Sequence, residues 1–152
     1  MKLILLLLLQ TQQCTMTSDT SNLQVTTLLT AEKLNFKSGE EEIELLFSVR
    51  NSTEKKTKFC HYMTPFETIS GNIFEIKNAA GDVADYEGIM RKRKEPTAEN
   101  DIPVAAGQTV SALFTLQGSY DLSKPGTYTI RFKGNEYMNN LPDSNTLKIT
   151  VE

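Results

Sequence analysis

Apolar and polar residues alternate with a period of two along much of the chain. The clearest case is residues 43–50, in which every second side chain is large and apolar. The same spacing recurs in residues 109–116, 127–133 and 147–151. Because successive side chains of a strand point to opposite faces, this pattern predicts strands that bury one face and expose the other.

Shorter runs rich in β-branched and aromatic residues predict further strands between turn signals that contain Gly, Pro or Asn. We expect these strands at residues 23–29, 34–36, 57–62, 72–77 and 83–86. A long amphipathic helix pattern does not occur in the sequence. About seven to nine short strands at this turn spacing predict an all-β fold, an immunoglobulin-like antiparallel β-sandwich.

One local motif supports the immunoglobulin-like interpretation. Asp121 is followed by Gly126 and Tyr128, at the start of the predicted strand 127–133. This order is similar to the tyrosine corner of immunoglobulin-like domains, in which the phenol hydroxyl bonds to the backbone a few residues upstream. We therefore predict structural roles for Asp121, Gly126 and Tyr128.

The length of 152 residues leaves room for one domain with a core of its own. Met1 and Lys2 precede an apolar run at residues 3–9, which is typical of an export signal. This run is too short to span a bilayer, because a spanning helix needs about 20 residues. We expect a signal peptide at residues 1–13, a flexible tether at 14–22 and the sandwich at 23–152.

The two cysteines leave two questions open. Cys14 follows the predicted signal, at the position where a bacterial lipoprotein carries its acylated cysteine, although Thr11-Gln12-Gln13 fits such a site poorly. Lipid attachment at Cys14 with membrane anchoring, and plain secretion, therefore both remain as interpretations. We expect Cys60 to be a small buried side chain, with a disulfide to Cys14 as the alternative.

Charge and residue types argue against several classes of function. The formal net charge of −3 disfavours a nucleic-acid-binding surface. A single histidine, His61, and two distant cysteines predict no metal site and no cofactor. Cys60 and His61 are adjacent on a predicted strand and so point to opposite faces, which disfavours a catalytic pair. We expect Glu40-Glu41-Glu42 to be a solvated turn, and we expect no enzyme.

The run Arg91, Lys92, Arg93 and Lys94 is the most prominent charge feature of the sequence. In one interpretation it docks the acidic surface of a partner, or an anionic lipid headgroup. In the other it lies along a solvent-facing edge, where lysines prevent edge-to-edge strand pairing. We favour the second interpretation and keep the first open.

Several short motifs follow one another in a fixed order. They are Tyr62-x-Thr64-Pro65-Phe66-Glu67, Asn72-Ile73-Phe74-Glu75-Ile76, Gly81, Tyr86-x-Gly88, Lys92-Arg93-x-x-Pro96-Thr97, Ala105-x-Gly107 and Tyr120-Asp121-Leu122-Ser123-x-x-Gly126-x-Tyr128. Together they resemble the N-terminal, prodomain-like β-sandwich of bacterial proteins related to deuterolysin and peptidyl-Lys metalloendopeptidase. A fainter similarity, through Pro125-Gly126-Thr127-Tyr128, is to intracellular proteinase inhibitors of bacilli, whose location disagrees with an export signal.

The resemblance implies a stand-alone relative of a protease accessory domain. The His-Glu-x-x-His motif of the catalytic half is missing from this sequence, so no catalytic residue carries over. We therefore expect a non-catalytic, exported protein-binding module, an inhibitor or chaperone of a secreted metalloendopeptidase. Contacts are expected from the loops at residues 63–70 and 89–97, including Met63, Thr64, Pro65 and Phe66. The alternative is a cell-envelope lipoprotein with a structural, adhesive or glycan-binding role.

Overall fold

The computed structural model of the chain describes residues 25–152. The predicted signal peptide, Cys14 and the predicted tether lie outside the described residues. Within the described part the chain forms nine strands and a single 3₁₀ turn, Ala98–Asn100. The strands are β1 Val25–Thr30, β2 Asn35–Phe36, β3 Glu44–Asn51, β4 Thr57–Cys60, β5 Phe74–Asn78, β6 Asp101–Val104, β7 Thr109–Thr115, β8 Gly126–Phe132 and β9 Leu147–Val151.

The strands form two main sheets and a short two-stranded one. One main sheet has the order β1-β3-β7 and the other β2-β9-β8-β5, while β4 pairs with β6. The prediction of an antiparallel arrangement holds for every described pair except β2–β9, which is parallel. The orders β1-β3-β7 and β5-β8-β9 match the A-B-E and C-F-G strand orders of immunoglobulin-type sandwiches. The all-β sandwich is therefore confirmed.

The core lies between the two main sheets. Phe47 on β3 contacts Phe132 on β8, with ring centroids 4.6 Å apart. Phe74 on β5 stacks on Phe114 of β7 at 5.1 Å. Phe47, Phe74 and Phe132 are almost completely buried. Truncating one such ring to alanine costs about 3–5 kcal/mol, so these contacts hold the two sheets together.

The periodicity predicted the central strands correctly, whereas β6 was not predicted and one predicted strand is absent. Leu45, Phe47 and Val49 are fully buried on β3, and Tyr128, Ile130 and Phe132 are buried on β8. The predicted strand at residues 83–86 does not form, and only isolated bridges from Val83 and Tyr86 remain. After Ala84 donates its N–H to the carbonyl of Ile76, the chain leaves the sheet so that Tyr86 can pair with Tyr120.

The motif at residues 121–128 fixes the entry into β8. Tyr128 Oη donates to the carbonyl of Lys124 at 2.7 Å, which is the bond that a tyrosine corner makes. Asp121 Oδ1 accepts from the N–H and the hydroxyl of Ser123, at 3.0 and 2.6 Å. Gly126 has φ +150°, a backbone conformation that side-chain-bearing residues rarely adopt. These three residues together set the angle at which the chain enters the strand.

Candidate functional site

The loop after β4 folds onto its own backbone. Thr64 Oγ1 donates to the carbonyl of His61 at 2.7 Å and accepts from the N–H of Phe66 at 3.2 Å. Such side-chain bonds to nearby backbone are typical of Thr in turns. Met63 adopts a positive φ of 56° at the bend. The side chain of Thr64 is consequently buried, and Pro65 is buried beside it.

The loop residues predicted to contact a partner mostly face inward. Thr64 is fully buried and Pro65 is buried as well, so neither side chain is available to a partner in this structure. Phe66 is half-buried because its ring packs edge-on against Phe47 and Phe59, at 6.1 and 5.2 Å. Met63 is also half-buried against the core. These four side chains anchor the loop and leave a partner little to contact.

An ion pair joins this loop to the basic run. Arg93 Nη2 lies 2.5 Å from Glu67 Oε2, and the two side chains are only 16% and 10% exposed. The same Nη2 donates to Ser70 Oγ at 3.0 Å. The guanidinium also lies over the ring of Tyr62, 4.7 Å from its centroid. The nearly buried guanidinium of Arg93 thus contacts a carboxylate, a hydroxyl and an aromatic face, and these contacts hold the two loops in one arrangement.

Glu67 has both carboxylate oxygens engaged within the protein. Oε1 accepts the N–H of Met63 at 3.0 Å, while Oε2 faces Arg93. His61 Nδ1 is 3.5 Å from Oε2, and its other ring nitrogen is 3.5 Å from Asn100 Nδ2. Because its lone pairs are used in this way, Glu67 is suited to holding the loops in place and poorly placed to act as a general base.

The rest of the basic run projects into solvent. Arg91, Lys92 and Lys94 are exposed, and so are the preceding apolar residues Ile89 and Met90. We call these five residues the basic–apolar surface. Residues 91–97 form no strand, so the predicted edge-protecting role is wrong, and Arg93 does not face solvent as that role requires.

The basic–apolar surface is held at two backbone points. Arg91 donates its N–H to the carbonyl of Ser70 at 3.2 Å. Tyr86 Oη donates to the carbonyl of Ile89 at 2.6 Å. Together with the Arg93 side chain, these bonds order a segment that belongs to no strand. The two predicted loops, residues 63–70 and 89–97, thus form one unit.

A third loop that sequence reasoning missed joins the same end of the molecule. Asn139 is buried, and its Nδ2 donates to the carbonyls of Met63 and Tyr62 at 3.1 and 3.4 Å. Asn135 Oδ1 accepts the N–H groups of Tyr137 and Met138, both at 3.0 Å, which forms the turn. The repeated Asn at positions 135, 139 and 140 was the sequence signal, since Asn commonly closes turns onto backbone.

The other reactive side chains considered in the sequence, Cys60 and the acidic turn, have structural surroundings. Cys60 is buried, and this burial raises the pKa of its thiol, which keeps the reactive thiolate scarce. At the acidic turn, a hydrogen bond from Lys33 Nζ lowers the pKa of Glu41. Across residues 25–152 no group of three or more His, Cys, Asp or Glu is arranged to hold a metal ion. In the same residues no helix is long and apolar enough to cross a membrane.

Asn51 begins an Asn-Ser-Thr sequence of the kind that N-glycosylation requires, and its side chain also has a structural role. Asn51 is fully buried, and its Nδ2 donates to the carbonyls of Lys55, Val104 and Ala105 at 2.7, 3.1 and 3.2 Å. Its Oδ1 accepts from the N–H of Thr53 at 3.0 Å. The folded domain therefore offers no accessible amide at this position.

The fold and the loop unit define an all-β sandwich that presents an anchored basic–apolar surface. Over 92 residues, 60% of the chain, the sequence is 26% identical to a protein named "Extracellular protease" from Aeromonas hydrophila. The match spans about a quarter (26%) of the length of that protein. No model of a known protein family matches the chain.

Proposed function

We propose that the chain is an exported, non-catalytic protein-binding module whose partner is a secreted metalloendopeptidase. The similarity to part of an extracellular protease supports a protease-related role. The finer assignment, to a prodomain-like accessory module, is supported by the ordered motifs between Tyr62 and Tyr128. Export is supported by the apolar leader and by the name of the similar protein.

The observation that carries the proposal is the anchored basic–apolar surface. Exposed Ile89 and Met90 lie beside three exposed cations, Arg91, Lys92 and Lys94. Binding to a loop that is already ordered loses less conformational entropy than binding to a flexible one. Arg93 and Glu67 supply that order through their nearly buried ion pair.

The charge of this surface indicates the chemistry of the partner. Three cations are concentrated here on a chain whose formal net charge is −3. An acidic surface on the protease would meet this local charge favourably and would accelerate association. The neighbouring apolar pair would supply the buried centre that protein interfaces need.

A non-catalytic role is supported by how the ionisable groups near the surface are used. Glu67 is bonded by Arg93 and by the Met63 N–H, and His61 lies between Glu67 and Asn100. None of these contacts leaves a nucleophile next to a free base, which is the arrangement that covalent catalysis requires. Binding, as an inhibitor or as a chaperone, is the activity these residues are suited to.

The test is a mixture of the purified protein with secreted metalloendopeptidases from the organism that encodes it. We expect co-elution in size-exclusion chromatography, together with reduced protease activity for an inhibitor or a higher yield of refolded protease for a chaperone. Unchanged activity, unchanged refolding and separate elution with every protease would remove the proposal.

A second experiment determines whether the module is anchored to the membrane or released. A lipid on Cys14 would tether the sandwich to the membrane, whereas cleavage of the leader without acylation would release it. Labelling with a radioactive fatty acid, with Cys14→Ala as the unlabelled control, distinguishes the two. Label in the wild type that is lost in the variant supports anchoring, and equal absence from both supports secretion.

A further inference from the structure

Strand β7 forms an edge of the three-stranded sheet. Its inner side pairs with β3 in a register in which Phe47 lies opposite Ala112. The N–H of Leu116 bonds to the carbonyl of Ile43, and the N–H of Asn51 bonds to the carbonyl of Gln108. In an antiparallel pair the hydrogen-bonded positions alternate, so the even-numbered residues of β7 bond to β3.

The odd-numbered residues of β7 therefore point their backbone groups away from the sheet. These residues are Thr109, Ser111, Leu113 and Thr115. Among the described residues no backbone or side-chain hydrogen bond reaches their N–H or C=O groups. They form a row of donors and acceptors available for another strand.

The other long edges of the described sheets are covered by loops over part of their length. At the β1 edge, Asn145 accepts the N–H of Leu29 at 2.7 Å and donates to its carbonyl at 3.0 Å. At the β5 edge, Ala84 donates to the carbonyl of Ile76, and Val83 bridges Lys77. The chain thus protects two edges with its own loops, and within residues 25–152 it leaves β7 uncovered.

The sequence of β7 also lacks the features that usually discourage pairing. It reads Thr-Val-Ser-Ala-Leu-Phe-Thr, with no charge, no proline and no glycine. By contrast, β6 of the small sheet carries Pro103, and its partner β4 carries Lys58. An uncovered seven-residue edge strand, four of whose residues are β-branched or aromatic, is expected to pair with another strand.

We propose that β7 pairs antiparallel with β7 of a second copy of this chain, forming a two-fold symmetric dimer with a continuous six-stranded sheet. When the axis passes through Ala112, Ser111 lies opposite Leu113 of the other copy and Thr109 lies opposite Thr115. Each odd-numbered residue of β7, whose N–H and C=O point away from β3, then lies in a hydrogen-bonded pair. This gives about eight new backbone hydrogen bonds. A two-fold interface of this kind uses the same patch on both subunits.

A second copy fits this edge because the strand is complementary to itself. β7 carries no charged side chain, so no repulsion between like charges opposes the pairing across the axis. On the inner face Val110 and Ala112 are only half-buried, and the new strand would cover them. On the outer face Leu113, which is 65% exposed, would gain a neighbouring strand.

The test is the molar mass of the purified full chain, measured by light scattering over a dilution series. The wild type is expected to have twice the mass of one chain and to dissociate on dilution. Leu113→Lys should give the monomer mass. The two introduced lysines would be diagonal neighbours across the axis, about 7–8 Å apart, and their charges would repel each other. Leu28→Lys adds the same charge on the same sheet face, at a residue 48% exposed on the covered β1, and should stay dimeric.

A backbone variant keeps the test independent of side-chain charge. Ser111→Pro removes an N–H that points away from β3, so the fold should be retained, as checked by thermal unfolding, while the dimer is lost. A wild type that is monomeric at every concentration would overturn the proposal. A dimer that survives both Leu113→Lys and Ser111→Pro would overturn it as well, since the interface would then lie elsewhere.

Discussion

The side chain of Arg93 takes a different direction from those of its three basic neighbours. It turns under the loop to reach Glu67, Ser70 and the face of Tyr62, and its Nε is buried without a hydrogen-bond partner. The contacts through Nη2 and the ring offset the cost of removing this charge from water. Arg93 therefore belongs to the interior of the protein although it lies in a run of charged residues.

We expect Arg93→Ala to destabilise the protein by about 3 kcal/mol, because it leaves the nearly buried Glu67 carboxylate without its cation. Arg131 is the matched control, since it pairs with Asp143 and Glu75 at 36% exposure. Arg131→Ala should cost less than about 1 kcal/mol. Urea unfolding measures both free energies, and equal costs would show that the Arg93 pair is no stronger than a surface pair.

Tyr120 gives a prediction for alkaline pH. Burial raises the pKa of its phenol from 10.0 to about 12, while Oη accepts from the N–H of Phe74 and donates to Asn72 Oδ1, both at 3.0 Å. The folded state then keeps a proton that the unfolded state loses, so this contribution to stability is complete below pH 10 and is lost as the pH rises towards 12.

The measurement is the difference in unfolding free energy between wild type and Tyr120→Phe at several pH values. At pH 7 the wild type should be more stable, because it keeps the two hydrogen bonds of the phenol. The difference should shrink as the pH rises from 10 to 12. A difference that stays constant over this interval would contradict the burial of an ionisable phenol at this position.

At the scale of elements, the strands were predictable where one face alone is buried. On β3 and β8 every second side chain is buried in the core, while the side chains between them are exposed or half-buried, apart from the buried Ser48. The segment at residues 83–86 carries β-forming residues, yet Val83 is exposed and the chain turns away to place Tyr86. Local composition does not encode that turn, since it depends on Tyr120 far along the chain.

The loop unit was predictable only in outline. Residues 63–70 and 89–97 were identified as loops, but the pairing of Arg93 with Glu67 joins positions 26 residues apart. A run of charged residues normally predicts a solvated surface, so the sequence alone could not distinguish the buried Arg93 from its exposed neighbours. Asn139 was missed for the same reason, because its partners, the carbonyls of Tyr62 and Met63, come from another loop.

The two loops should lose their order together when Arg93 is replaced. In Arg93→Ala we expect faster hydrogen exchange at the amide of Arg91, which bonds to Ser70, and at the amide of Met63, which bonds to Glu67. The amide of Phe132 on β8, which bonds to Ser144 Oγ, should exchange as in the wild type. Faster exchange in one loop alone would show that the two do not form a unit.

For the molecule as a whole, the sandwich acts as a scaffold that positions surfaces at separate places. The loop unit presents the basic–apolar surface, whereas β7 lies at the free edge of the three-stranded sheet. The close-packed core between the sheets gives both surfaces a rigid support. We therefore propose that the loops bind the protease and that the edge strand mediates self-association.

The most direct test of the central claim is the affinity of the protein for a co-secreted metalloendopeptidase after the three exposed cations are removed. We compare the wild type with the triple variant Arg91→Ala, Lys92→Ala and Lys94→Ala. The control removes three exposed cations outside the surface, with Lys55→Ala, Lys56→Ala and Lys148→Ala. Both variants change the net charge equally, and both retain Arg93.

The account predicts that the triple variant binds at least about tenfold more weakly, a loss of about 1.4 kcal/mol, while the control variant binds like the wild type. Isothermal titration at fixed salt measures both affinities. Equal affinity of the two variants for the protease would contradict the claim that the basic–apolar surface forms the contact.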